Sequence, residues 1–185
     1  MRMKVLLYLA DGFEEIEAMS VVDVLRRADI NIQMVSIMGK KEVIGAHHVG
    51  VIADVLFENV DHADIDMIIL PGGSEGTQNM DQHVGLKKQL AMAIEKGKRV
   101  AAICAAPTIL GKMGILKGKS VTCYPGFEQH LQGADISAAD STIIDGNIIT
   151  SRGPSTSLDF ALTIVEVLKG TELANTLRKD MIISQ

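Results

Sequence analysis

The chain has 185 residues, 47% of them hydrophobic, 3% aromatic and 22% charged, with a formal net charge of −5. That length and apolar content suit one compact domain over 1–185, able to bury about 70% of its unfolded surface without disulfide or metal staples. The charge is spread rather than blocked, and four Phe, two Tyr and no Trp offer no aromatic platform, which argues against a nucleic-acid partner. Cys104 and Cys123 are the two cysteines, with no CxxC and no clustered Cys/His spacing, so neither a disulfide framework nor a metal site is expected and a reducing cytoplasm fits.

Met1 to Ala10 places Arg2 and Lys4 around a short apolar run that stops at Asp11 without a small-residue cleavage pattern, so it reads as a first strand rather than a leader. No later run is long enough to span a membrane. After Ala10-Asp11-Gly12, the carboxylates Glu14, Glu15 and Glu17 open a helix running to about Ala28, with Ala18, Val21, Val22, Leu25 and Ala28 as its apolar stripe. Glu17 lines up with Val21, Val24 and Ala28 and so borders the buried face. Glu14 also heads a partly apolar row, and spacing alone does not choose between them. Asn31 to Ile37 gives the second strand of a β-α-β unit.

Glu42 to Ala53 reads as a short hairpin or two ragged strands around Gly45 and Gly50, carrying His47 and His48, adjacent positions that point to opposite sides of a strand and make a poor chelating pair. Asp66 to Leu70 has the continuous apolar look of a buried parallel strand and runs into Pro71-Gly72-Gly73-Ser74-Glu75-Gly76-Thr77. That loop lacks the Lys-Ser/Thr of a P-loop and the GxGxxG of a dinucleotide site, so Gly72 and Gly73 are read as letting backbone N–H groups approach a small anionic oxygen. Asp81 is expected to cap a helix through about Lys96, with Leu86, Leu90 and Ile94 on one side and Gly97 as its stop.

Val100 to Ile103 is too short for a core helix and reads as an inner strand. Helical spacing follows it, with Pro107 where a first-turn proline is tolerated. Cys104 therefore sits at a strand-to-helix turn, where helix N–H groups are expected to favour the thiolate and lower the thiol's pKa. The alternative is a buried cysteine packed as a small apolar side chain. Downstream, Thr142 to Thr150 makes a hairpin around Asp145-Gly146. A helix then opens after Ser151-Arg152-Gly153-Pro154 with Leu158, Ala161, Leu162, Val165 and Leu168 inward, and a last short helix begins at Thr171.

Alternating strands and helices imply a doubly wound α/β sandwich around a mainly parallel sheet, whose sites gather at the carboxyl ends of strands. Asp11 to Glu17, Pro71 to Gly76 and Cys104 all lie at such ends, and their convergence favours a functional Cys104.

The segments ADGFEEIE at 10–17, LPGGSEGTQN at 70–79, AAICAAPTIL at 101–110 and TSRGPSTSLDFALTIVEVLKG at 150–170 together resemble the ThiJ/PfpI superfamily, in its branch around the Parkinsonism-associated protein DJ-one and bacterial YajL. The resemblance covers essentially the whole chain. It implies a flavodoxin-like fold, a homodimer, no cofactor and a reactive cysteine at a nucleophile elbow. It selects Glu17 as a protonated carboxyl beside Cys104, assigns the Gly73 and Ala105 N–H groups to an oxyanion pocket, and brings Arg27 and Arg152 near the site or the dimer interface. Two departures stand out. Ala105 replaces the histidine that follows the cysteine in the proteolytic branch, which disfavours a Cys-His protease. Tyr124 stands where animal members have a histidine, leaving proton transfer to Glu17, since a phenol is a poor base at neutral pH. His47 takes the place of an arginine that approaches the partner's site in the animal protein.

Two functions follow from the resemblance. One is a cofactor-independent glyoxalase or deglycase, in which Cys104 adds to the aldehyde of methylglyoxal, glyoxal or an early glycation adduct and Glu17 moves a proton. The other is a redox-responsive chaperone or regulator whose Cys104 is oxidised to a sulfinate.

Overall fold

The computed structural model describes residues 3–137 and 141–183. The chain order is β1 (Lys4–Leu9), α1 (Glu15–Arg27), β2 (Asn31–Ser36), β3 (Glu42–Ile44), β4 (Gly50–Ile52), β5 (Val55–Leu56), β6 (Met67–Leu70), α2 (Ser74–Gln82), α3 (Val84–Glu95), β7 (Arg99–Ile103), α4 (Pro107–Lys112), β8 (Ser120–Val121), β9 (Asp135–Ile136), β10 (Thr142–Asp145), β11 (Ile148–Ser151), α5 (Ser157–Lys169) and α6 (Thr171–Asp180). Seven strands form the central sheet in the order β10-β11-β7-β6-β1-β2-β5. Every pairing in it is parallel except β10 with β11. This is the flavodoxin-like arrangement, and the direction of strand addition reverses at β1, which makes the carboxyl ends of β1 and β6 the switch point where such sheets bind ligands.

The strands read as unbroken apolar runs because both faces are covered. On β1, Val5, Leu7 and Leu9 pack into one core with Val21, Leu25, Phe160 and Val165 of α1 and α5, while Leu6, Tyr8 and Ala10 pack into the other with Leu86 and Leu90 of α3 and Ile109 of α4. β6 and β7 divide in the same way, with Met67, Ile69, Ala101 and Ile103 against Ile68, Leu70, Val100 and Ala102. Period-2 alternation of side-chain direction thus sends neighbouring residues into opposite layers. Truncating a fully buried Leu7 to Ala in such a core costs about 2–5 kcal/mol.

Several expectations are corrected. The glycine loop ends at Gly73, and α2 begins at once with Ser74. This helix has few apolar residues, which hides its period, and Met80 is its buried anchor. Asp81 consequently lies inside α2, and the cap of α3 is His83, whose Nδ1 accepts the Leu86 N–H at 2.9 Å. His48 has φ 65°, so the histidine pair lies in the turn between β3 and β4 rather than along a strand. Asp145 pairs with Ile148, so the hairpin turn is Gly146-Asn147 instead of Asp145-Gly146. Leu158 is 38% exposed and Leu168 half-buried, and Phe160 and Ile164 take the inward positions of α5.

Candidate active site

Cys104 follows β7 directly, and its φ of 64° is a left-handed conformation that non-glycine residues rarely adopt. The turn is held from both sides. The Cys104 N–H donates to the Ser151 carbonyl at 2.9 Å and the Cys104 carbonyl accepts the Tyr124 N–H at 2.8 Å. The thiol is 9% exposed and faces an open pocket of about 440 Å³ bordered by Glu14, His47, Gly73, Ala105, Tyr124 and Phe127, among others. Strain over-determined by surrounding hydrogen bonds marks functional positions more often than packing positions.

Glu17, on the first turn of α1, is fully buried, and the ambiguity with Glu14 is resolved in its favour. Its Oε2 accepts the Gly72 N–H at 2.7 Å, while its Oε1 is buried without a conventional hydrogen-bond partner. A methyl group on Gly72 would stand 2.5 Å from Cys104 Cβ, 2.6 Å from Glu17 Oε2 and 3.0 Å from Cys104 Sγ. Only a residue without Cβ lets the chain beyond β6 run past both side chains. Gly73, at φ 89°, turns the chain into α2. Its N–H and that of Ala105 lie on the Cys104 sulfur's side and favour the anionic form.

Burial, opposed by the Gly72 hydrogen bond and the interaction with Cys104, raises Glu17 from its ordinary value of 4.5 to about 7. Burying a carboxylate without full hydrogen bonding is costly, which favours the neutral acid. Cys104 departs from the expectation of a depressed thiol. Burial first, then the charge and hydrogen bond of Glu17, push it up to about 12 against the pull of the Gly73 and Ala105 N–H groups. The helix-terminus argument is weak here because α4 has six residues. The two groups act as a pair. The Glu17 charge that disfavours the thiolate is absent when Glu17 is protonated, so the thiolate goes with the neutral acid.

The structure thus brings together Cys104, Glu17, Gly72, Gly73 and Ala105, with His47 and Tyr124 on the rim of the same pocket. The Tyr124 ring is 44% exposed and meets Phe127 edge-on at 6.3 Å. Arg27 is not brought to the thiol within the chain. It lies ten residues beyond Glu17, about 15 Å along the helix, exposed and paired with Asp23 at 2.7 Å. Arg152 does not line the pocket either, and its charge acts on Cys123.

Sequence reasoning missed the role of Glu15, whose first-turn position looks like an ordinary solvated, dipole-friendly carboxylate. Glu15 Oε1 accepts the His47 N–H at 2.7 Å and Oε2 lies 2.8 Å from His47 Nδ1. Together with Asp11 Oδ1, which accepts the Ile44 N–H at 2.8 Å, it fastens the β3–β4 hairpin over the pocket.

The DJ-1/PfpI family model matches residues 3–167. The crystal structure of Drosophila melanogaster DJ-1beta superposes with a TM-score of 0.95 at 35% identity, covering 100% of both chains. Protein DJ-1 homolog B of Arabidopsis thaliana is 38% identical over 97% of this chain, which spans 41% of that protein's length. The glutathione-independent glyoxalase DJR-1.2 of Caenorhabditis elegans is 32% identical, over 93% of this chain and 91% of its own. Because the matched span runs from β1 into α5 and takes in the whole Cys104 and Glu17 pocket, the chain belongs to the DJ-1/PfpI family.

Proposed function

We propose that this chain is a glutathione-independent glyoxalase-type enzyme acting on small 2-oxoaldehydes such as methylglyoxal, or on the early adducts they form with amines and thiols. The observation that carries the reading is Glu17. It is a fully buried carboxyl held by Gly72 and raised to about 7, beside a cysteine that opens on a pocket. A carboxyl poised near neutrality both gives and takes a proton at working pH. The similarity to a nematode protein named a glutathione-independent glyoxalase adds support.

In this mechanism the Cys104 sulfur adds to the aldehyde carbon, and the carbonyl oxygen takes a proton to give a hemithioacetal. The Gly73 and Ala105 N–H groups stabilise negative charge in this corner of the pocket. Glu17 then moves a proton from the former aldehyde carbon to the adjacent ketone carbon through an enediol, leaving a thioester. Water attacks the thioester, releasing the 2-hydroxy acid and restoring the thiol, so the net reaction is addition of one water. For a hemiaminal or hemithioacetal adduct the Cys104 sulfur displaces the amine or thiol from the same carbon, the leaving group departs with the thiol proton, and the resulting hemithioacetal continues as above, which is the deglycase form of the reaction.

Purified protein with methylglyoxal and no glutathione should form lactate, and Cys104→Ser should not. Equal rates in the two would overturn the proposal. A second reading, oxidation of the Cys104 thiol to a sulfinate by two equivalents of peroxide with release of two waters, is supported by the same donors, because Gly73, Ala105 and a protonated Glu17 suit an anionic sulfur oxygen. Glu17→Gln separates the two, since it removes the transferable proton and leaves the thiol oxidisable. The proposed assembly is a homodimer, for which the exposed apolar side chains Ile16 and Leu158 provide surface; light scattering at micromolar concentration tests it.

A further inference from the structure

At the mouth of the Cys104 pocket, Glu14, Glu15 and His47 each offer a ligand atom, and all three atoms lie within 4.8 Å of one another. We propose that these three side chains form a binding site for a divalent transition-metal cation of the Zn²⁺ class, with His47 Nδ1 and one oxygen from each glutamate as protein ligands and water completing the shell.

The spacing is that of a coordination sphere. Bonds of about 2.1 Å in a tetrahedral shell place neighbouring ligand atoms about 3.4 Å apart. His47 Nδ1 stands 2.8 Å from Glu15 Oε2 and 3.8 Å from Glu14 Oε2. Small side-chain rotations bring all three within reach of one ion, which replaces the proton between His47 and Glu15. The ligands are also fixed. Glu14 and Glu15 sit at the start of α1, and the His47 backbone N–H is tied to Glu15 Oε1 at 2.7 Å, so the imidazole and both carboxylates are anchored to a common point.

The surroundings of Glu14 fit this assignment. Glu14 borders the pocket and makes no side-chain hydrogen bond among the described residues, and the His47 ring lies 3.8 Å from its Oε2. Its side chain is 12% exposed, so the carboxylate reaches the solvent of the pocket and can turn toward a cation there. The pocket lining also carries Glu75, and the one basic side chain in it is His47 itself. One imidazole with two carboxylates favours a borderline cation over Mg²⁺ or Ca²⁺, which take all-oxygen shells.

The site holds whether or not the pocket turns over an aldehyde, and its test reads binding alone. Titration calorimetry with ZnCl₂ should show one equivalent bound, unchanged within about twofold in Cys104→Ser. Loss of an outer-shell partner costs about 10-fold in metal affinity. His47→Ala and Glu14→Gln, which remove ligands, should therefore each weaken binding by more than that, with circular dichroism unchanged. A Co²⁺ absorption band lost in His47→Ala alone would confirm nitrogen ligation. Absence of binding at 1:1, full affinity in His47→Ala, or loss of binding in Cys104→Ser would overturn the proposal, the last by placing the ion on the thiol.

Discussion

Cys104 and Cys123 are both buried, both follow strands, and both have thiols raised above their ordinary value, yet their surroundings differ in kind. Cys123 is pushed up to about 11 by burial and by Glu128, and its Sγ lies 3.4 Å from the Tyr124 carbonyl oxygen. Cys104 is pushed higher, to about 12, but part of that rise comes from a neighbour that itself titrates near 7. Burial by itself makes a cysteine inert. A protonatable partner makes its reactivity conditional, because a proton on Glu17 removes the charge that holds the thiol neutral. The left-handed turn and the open pocket add access, which Cys123 at 3% exposure lacks.

The largest expected effect is on turnover. Cys104→Ser should lower methylglyoxal conversion by at least ~10³-fold, whereas Cys123→Ser should stay within about twofold of the parent. Glu17→Gln should cost about 10²–10⁴-fold through loss of proton transfer, while iodoacetamide still modifies Cys104. A Glu17→Gln protein with parental turnover would leave the pair without its distinguishing member.

Stability against pH gives the next effect. The folded pKa of Glu17, about 7, lies above the ordinary 4.5, so below pH 4.5 both folded and unfolded states hold the proton. As pH rises from 4.5 to 7 the unfolded chain ionises first, and the parent loses on the order of 3 kcal/mol relative to Glu17→Gln. Urea denaturation of both proteins at pH 4.5 and pH 8 measures this, and an unchanged difference would refute the buried-acid account.

Gly72→Ala should destabilise the fold by about 1–3 kcal/mol, because its Cβ would overlap Cys104 and Glu17 together. Thermal unfolding reads the loss, and a turnover defect without any stability loss would contradict the close packing. The smallest effect concerns labelling. Limiting iodoacetamide followed by peptide mapping should modify Cys104 about 10-fold faster than Cys123, and equal rates would erase the contrast.

Much of the site was legible in the chain because strand ends converge in a parallel sheet. Short apolar runs located β1, β6 and β7, and whatever follows such strands meets at one edge. That logic was enough to place Glu17, Gly72, Gly73 and Cys104 at one edge. It did not reveal α2, whose nine residues SEGTQNMDQ offer too little apolar pattern, or the cap of α3 at His83. Nor did it reveal that Glu15 reaches 32 residues along the chain to His47, since a solvated carboxylate and a clamping one have the same local spacing.

By itself, the sequence determined the layers. Alternation and unbroken apolar runs dictate which strands are covered on both faces, and turn residues dictate where the chain must leave the sheet. Whether Glu14 or Glu17 faces the thiol, which residue spacing left open, and whether that thiol is raised or lowered, were decided by tertiary structure. Those outcomes depend on desolvation and on charges brought close in space, as when the N–H of Gly72 reaches Glu17 across 55 positions of chain. Local sequence patterns carry backbone geometry, but the cost of burying a charge is set by every group packed around it.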